Sequence, residues 1–431
     1  MQRRTFLGAL SGAASLAALG TLAGVAGLTA RQARAAAPAR VVVIGGGYGG
    51  ATAARYLRVW SGNAIDVTLV EPDASFVSCP LSNLVIAGGR GMADITRPYD
   101  MLASRHGVRI VRDTATAIDA DRRTVRLAGG STLPYDRLVL SPGVEMQTSA
   151  IPGLAGPGGD QILHAWKAGP QTTALARQLA AMRDGGTFAI TVPLAPYRCP
   201  PGPYERASLV ADYLKRNKPR GKVLILDANP DITSKGALFR QAWQTRYPGM
   251  IEYRPQYETV DVDPATRTLK FEVQDDETAD VINLLPPQRA GAIAVASGLA
   301  TANGRWCEVD FLTMESLAIP RIHVLGDAVQ IAPLMPKSGH MANQHAKVAA
   351  AAIVALLSDQ APNPVPVYNN TCYSFTSTDE AVHIASVHRY DPTQKTMLTV
   401  PGAGGLSTAP SALEGRYAQA WAQSIWADML G

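Results

Sequence analysis

From residue 40 the chain runs Arg40-Val41-Val42-Val43-Ile44, a short β-branched stretch without polar alternation. Such a run predicts a strand covered on both faces, as in a parallel sheet. It stops at Gly45-Gly46-Gly47-Tyr48-Gly49-Gly50, and the pattern turns helical over residues 51–57. A second apolar run, residues 65–70, ends at Glu71. Strand, glycine turn, helix and strand make one βαβ unit. Buried-strand runs return at residues 187–192, 223–227 and 322–325. Residues 341–357 are rich in alanine and predict a long helix. A Pro/Asn-rich linker follows from Pro362, then a β-meander over residues 380–400. A terminal helix would put Tyr417, Trp421, Ile425 and Met429 on one face. The expected fold class is α/β, with two Rossmann-like dinucleotide-binding domains and a C-terminal α+β domain. Residues 38–150 and 291–360 would form the first, residues 151–290 the second, and residues 361–431 the third.

The first glycine turn has a physical task at each position. Gly45 permits the tight turn, Gly47 lets the backbone approach a pyrophosphate, and Gly50 lets helix and strand pack closely. The helix start offers free N–H groups and a positive dipole end to phosphate. Glu71, about 20 residues past the last glycine, suits the hydroxyls of an unphosphorylated ribose, so FAD or NAD. A lone G-x-G-x-x-G is weak; here strand, helix, second strand and terminal acid follow in order.

Composition narrows the classes. The 431 residues are 47% hydrophobic and 17% charged, which excludes a disordered or fibrous chain. Four cysteines exclude a small disulfide framework. The formal charge of +5 is misleading, because Arg3, Arg4, Arg31 and Arg34 lie in an acid-free leader. The rest is close to neutral, with no global reason to bind nucleic acid or an anionic membrane. Residues 1–37 read as a positive start, an apolar stretch and a small-x-small cleavage site at Ala33-Arg34-Ala35. Arg3-Arg4 with Phe6-Leu7 resembles a twin-arginine signal, which implies periplasmic export of a folded, cofactor-bearing protein. The rival reading is a transmembrane anchor, since residues 6–28 are long enough to span. Five glycines and the cleavage site favour removal, leaving no membrane span in the mature chain.

Two later stretches select FAD. Tyr135-Asp136-Arg137-Leu138-Val139-Leu140-Ser141-Pro142-Gly143 resembles the Y-D-x-L-V-x-A-T-G junction of flavoproteins with two dinucleotide domains. Ile322-His323-Val324-Leu325-Gly326-Asp327-Ala328 is a strand ending in Gly-Asp-Ala, and in that superfamily the aspartate binds the ribityl chain of FAD. The second domain departs from the pattern. Its first strand, residues 187–192, runs into Pro193-Leu194-Ala195-Pro196-Tyr197-Arg198-Cys199-Pro200-Pro201-Gly202-Pro203 instead of a glycine fingerprint. Prolines give no N–H to a pyrophosphate and their rings block its approach. The nicotinamide nucleotide site is expected to be lost, and electrons must enter from another donor.

Four stretches then carry a close resemblance: Cys79-Pro80-Leu81-Ser82-Asn83, residues 196–205, Met335-Pro336-Lys337-Ser338-Gly339, and Asn370-Thr371-Cys372-Tyr373-Ser374. The chain resembles the flavoprotein subunit of flavocytochrome c sulfide dehydrogenase, of glutathione-reductase type, from Arg40 onward. The resemblance implies a redox-active disulfide between Cys199 and Cys372 beside the flavin. It implies a thioether from Cys79 to the flavin 8-methyl group, although Pro80 departs from the family pattern. It also implies hydrosulfide as substrate and a c-type cytochrome subunit as partner. Glu205, in the first turn of a proline-started helix, is the candidate proton acceptor, and that helix end is expected to lower the Cys199 thiol pKa. Lys337 and the helix after it would stabilise the reduced flavin. Cys307 reads as structural. Cys-x-x-Cys-His is absent from the sequence, so no c-type haem site is expected here. Three other readings stay open: a sulfide:quinone oxidoreductase, an accessory flavoprotein of a sulfur-carrier thiosulfate-oxidising system, and, least favoured, an NADH-dependent reductase.

Overall fold

The computed structural model describes residues 37–431; residues 1–36 of the leader, with its cleavage site, lie outside them. Arg40–Ile44 is an interior strand of a seven-stranded sheet. Asp66–Val70 and Arg137–Leu140 flank it, both parallel, and Arg109–Val111 extends the first side. Ile322–Val324 joins the other side, parallel to Arg137–Leu140. The sheet therefore draws strands from two distant parts of the chain. Val41, Val42 and Val43 are buried because both faces are covered, which explains the unbroken apolar run. The helix after the glycine turn, Tyr48–Trp60, packs along the Ala-rich helix Gly339–Leu357. Small side chains allow the close approach: Ala51, Ala53, Ala54, Ala346, Ala349 and Ala350 are buried.

A second, four-stranded parallel sheet has the order Ile251–Pro255, Lys222–Asp227, Thr187–Val192, Val281–Leu284. The helices Pro170–Ala181, Gly202–Asn217 and Gly236–Arg246 belong to this half, and Phe188, Ile190, Val210 and Phe239 fill its core. Val144–Met146 pairs antiparallel with Gln288–Ala290 where the chain passes out of the first half and back.

The C-terminal part is a three-stranded antiparallel sheet, Val367–Phe375, Ala381–Asp391 and Thr396–Leu406, followed by the helix Ala412–Leu430. The meander is thus longer than the alternation over residues 380–400 predicts, and its first strand carries Cys372. Of the face expected for the terminal helix, Ile425 and Met429 are buried and Trp421 is half-buried, whereas Tyr417 is exposed; Ala418, Ala422 and Trp426 complete the inward face.

Candidate flavin and dithiol site

The glycine turn is closed on two sides and open on the third. Gly45 has φ +93°, and a Cβ there would lie 2.4 Å from the Ser141 carbonyl oxygen. A Cβ on Gly50 would meet the Gly45 carbonyl oxygen at 1.8 Å. A Cβ on Gly47 would meet nothing within 4 Å, because Gly47 faces empty space at the start of the helix. Glu71 braces the turn: its Oε2 accepts the Gly46 N–H at 2.6 Å and its Oε1 accepts the Asp73 N–H at 2.9 Å.

That space is one end of a cavity of about 420 Å³. Gly45, Gly47, Glu71, Cys79 and Asp327 line it, and Cys199, Cys372 and Glu205 stand on its wall. Asp327 Oδ1 is buried without a hydrogen-bond partner, and burial pushes this carboxyl up. An orphaned buried acceptor is costly and points to a donor that a ligand supplies. With the open cradle at Gly47 and the Glu71 carboxylate, the residues fit a dinucleotide such as FAD.

Cys79 sits in a tight turn: Leu81 has φ +74° and Ser82 Oγ donates to the Cys79 carbonyl at 2.6 Å. Its Sγ accepts the Ala168 N–H at 3.4 Å. The turn absorbs Pro80 while keeping Cys79 on the cavity wall.

Cys199 ends the proline-rich turn in left-handed conformation, φ +58°. Its N–H donates to the Lys337 carbonyl at 2.9 Å, and its carbonyl accepts the Gly202 N–H at 2.8 Å. A Cβ at position 202 would lie 2.6 Å from the Trp166 ring and 2.9 Å from Cys199 Sγ, so glycine fits this helix start without displacing either. Cys372 arrives from the C-terminal sheet. All four cysteines are free thiols in this structure, so the pair is described as a dithiol. The expectation of a lowered Cys199 pKa is overturned. Burial pushes the Cys199 thiol well up, with Cys372 and Glu205 adding to it, and burial also raises Cys372. Desolvation outweighs one helix end.

Glu205 ties the site together. Its Oε1 accepts the Phe375 N–H and its Oε2 accepts Asn83 Nδ2, both at 2.9 Å. One carboxyl thus joins the helix after Cys199, the strand of Cys372 and the turn of Cys79. Burial moves it toward the protonated form. Arg206, fully buried, donates to Asn83 Oδ1 at 2.9 Å, Asn283 Oδ1 at 2.8 Å and the Ala165 carbonyl at 2.7 Å. Burial lowers its pKa to about 9. The sequence motif contained Asn83 and residues 196–205, yet gave no sign that Asn83 bridges Glu205 and Arg206. Lys235, beside Cys372, had no sequence signal.

Lys337 corrects another expectation. It is 3% exposed and is not on the cavity wall. Its Nζ donates to the carbonyls of Asp327 at 2.9 Å and Val329 at 2.6 Å, and lies 3.6 Å from the centre of the Trp306 ring. Burial lowers its pKa to about 7. Lys337 props the turn that carries Asp327. The helix start beside it does reach the cavity, through Ser338, Gly339 and His340. Trp421, from the terminal helix, also lines it.

In the second half, the acid that ends Lys222–Asp227 is already engaged. Asp227 accepts from Tyr204 Oη at 2.6 Å, Tyr253 Oη at 3.0 Å and Asn229 Nδ2 at 2.8 Å. Tyrosine hydroxyls therefore hold the acid at the end of this strand, the place where a Rossmann unit presents a carboxylate to ribose.

Comparison with known families agrees with this architecture. Residues 39–181 match the pyridine nucleotide-disulphide oxidoreductase model. Residues 172–286 match the central model of the sulfide dehydrogenase (flavocytochrome c) flavoprotein chain. Residues 364–430 match the flavocytochrome c sulphide dehydrogenase flavin-binding model. A sulfide dehydrogenase (flavocytochrome c) flavoprotein chain of Chlorobaculum thiosulfatiphilum is 61% identical over 46 residues, 11% of this chain and 94% of that one. A mitochondrial sulfide:quinone oxidoreductase of Dictyostelium discoideum is 24% identical over 67% of this chain; the match spans just under two thirds of that protein, 65%. The solved sulfide:quinone oxidoreductase of Aquifex aeolicus shares the fold, with TM-score 0.75, 19% identity and 91% of each chain covered. Among the described residues no helix is long and apolar enough to cross a membrane. With both of its distinctive domains matched and the cavity joining them, the chain belongs to the pyridine nucleotide-disulphide oxidoreductases, among the flavoprotein chains of flavocytochrome c sulfide dehydrogenase type.

Proposed function

We propose that the chain is a periplasmic, FAD-dependent sulfide dehydrogenase flavoprotein that passes electrons to a c-type cytochrome subunit. The observation that carries the reading is the presence of Cys199 and Cys372, from separate parts of the fold, on the wall of the cavity that begins at the glycine turn. Gly47 and the following helix start would hold the pyrophosphate in the turn that Gly45 and Gly50 shape, Glu71 the ribose, and Asp327 the ribityl chain. Cys79 is the proposed thioether to the 8-methyl group. When bound, FAD supplies a two-electron acceptor that releases its electrons singly. The periplasmic address rests on the Arg3-Arg4 leader.

The chain's own residues account for the sulfur chemistry. Hydrosulfide attacks one sulfur of a Cys199–Cys372 disulfide. A bond forms to the incoming sulfur, the cysteine–cysteine bond breaks, and the other cysteine leaves as thiolate. Glu205 takes up the hydrosulfide proton, for which its burial prepares it. A second hydrosulfide removes the sulfane sulfur. Cys199 and Cys372, left as a dithiol, would close again on loss of two electrons, and FAD, when bound, would supply the acceptor for them. Lost fingerprint and engaged Asp227 argue against a nicotinamide as the source of electrons.

A quinone acceptor is the second reading, favoured by the long match to the Dictyostelium sulfide:quinone oxidoreductase. Reduction of cytochrome c by detergent-free protein, with no turnover of quinone analogues, supports the first reading; the reverse pattern supports the second. The central test is Cys372→Ser. The variant is expected to keep its yellow colour and to lose bleaching by sulfide. Bleaching at the parent rate would end the disulfide proposal.

A further inference from the structure

Lys235 is 6% exposed and stands just before the helix Gly236–Arg246, in left-handed conformation at φ +57°. Its ammonium donates to the Cys372 carbonyl and to Ser374 Oγ, both at 2.8 Å, and lies 4.0 Å from Cys372 Sγ. None of the ion pairs among the described residues includes it. Its direct partners are neutral oxygens, and the nearest acid, Glu205, acts on it from beyond ion-pair distance. The sulfur beside it can become a closer negative charge.

We propose that Lys235 is a positioning residue whose ammonium pairs with the Cys372 sulfur when the dithiol ionises, making Cys372 the anionic member of the pair. The inference rests on the proposed role of the two cysteines. The neighbourhood is asymmetric. Cys372 faces Lys235 from the second half, Glu205 from the helix Gly202–Asn217, and Cys199 from the proline turn. His340 accepts the Thr371 N–H from the helix Gly339–Leu357, and Tyr373 packs on His383 within the sheet. Lys235 favours ionisation of both thiols and Glu205 opposes both, but it is Cys372 Sγ that lies 4.0 Å from the ammonium, and Cys199 is opposed by Cys372 as well. Arg198 is the cation nearest in sequence to Cys199. Ser374 and the Cys372 carbonyl hold the ammonium so that it cannot swing to solvent.

The test is the pH dependence of iodoacetamide alkylation in the FAD-loaded Cys199→Ser protein, followed on the Cys372 peptide by mass spectrometry. An opposite charge at this range shifts a thiol by about one to three pH units. Lys235→Met is therefore expected to raise the midpoint by at least about one unit, slowing alkylation at neutral pH roughly tenfold. Lys235→Arg should restore it. Ser374→Ala, which loosens the ammonium without removing it, should raise the midpoint by less. Coincident profiles for the parent, Lys235→Met and Ser374→Ala would overturn the proposal, as would equal shifts for the methionine and arginine variants. Should Lys235→Met melt below the assay temperature, Lys235→Gln and Ser374→Ala give the same reading. The alkylation profile needs no sulfide. Failure of the sulfide chemistry would appear instead as bleaching retained by Cys372→Ser.

Discussion

Asp327 and Lys337 lie close together, yet of the two only Asp327 lines the cavity. The lysine serves from behind, holding two carbonyls of the turn and the face of Trp306. Lys337→Met would relieve a buried charge but orphan both carbonyls, at a net cost of about 1–3 kcal/mol. It is expected to lower the melting temperature while leaving flavin content and spectrum as in the parent. An unchanged melt with lost colour would return Lys337 to the cavity wall. Asp327 was readable in the sequence because a strand feeds directly into Gly326-Asp327-Ala328, which fixes where the acid emerges. Lys337 was not, because the side of its loop that faces inward is set by Trp306, a contact that sequence order hides. Lys235 was more hidden still. Its direction comes from one left-handed backbone position, and its neighbour Cys372 is remote along the chain.

Elements were legible where apolar periodicity and glycine placement agree. The strand–turn–helix start is the clearest case, and its glycines separate folding from binding. Gly50→Ala places a methyl group at 1.8 Å from a backbone oxygen and is expected to leave little folded protein. Gly47→Ala meets no protein atom, and its backbone, at φ −69°, suits alanine. That variant is expected to melt near the colourless parent but to bind FAD at least tenfold more weakly, since its methyl group fills the cradle. Equal flavin affinity in parent and Gly47→Ala would contradict a pyrophosphate at that turn. The terminal helix shows how periodicity misleads. Large residues suggested a face that begins at Tyr417, but Tyr417 is exposed and the helix backbone at Gly415 lies against residue 379. A Cβ on Gly415 would come 1.9 Å from the Asp379 carbonyl oxygen. Close approach selects Gly415; Ala418 and Ala422 are buried further along, and a hydrophobicity pattern gives such small residues little weight. The first C-terminal strand escaped for a related reason. Its polar Asn370 and Ser374 point inward to hydrogen bonds rather than outward to water.

For the molecule as a whole, acid stability follows from histidines held neutral. His345 Nδ1 accepts the Gly326 N–H at 3.2 Å, and burial pushes its pKa down to about 3. His164 Nδ1 accepts the Trp166 N–H at 2.9 Å, with burial and then Arg206 lowering its pKa to about 4. An unfolded histidine takes its proton near pH 6.5, so below that pH the unfolded chain binds protons that the folded chain refuses. Stability falls with pH, by up to about 1.4 kcal/mol per unit for each histidine, until the folded pKa is passed. The raised carboxyls Glu205, Asp227 and Asp327 act in the opposite sense, so one histidine is best isolated by difference. His345→Asn keeps an acceptor for Gly326. It is expected to lose about 2 kcal/mol less than the parent between pH 7 and 5 in urea titrations. Parallel curves would exclude His345 as an acid-sensitive point. The tyrosines on Asp227 bear on the history of the fold as well. Regaining a pyridine nucleotide would require releasing that acid, clearing the prolines and installing glycines together. Each change alone breaks packing before it offers any new ligand. A ribose at this strand end would therefore need several coordinated changes rather than one, because Tyr204 and Tyr253 both hold Asp227.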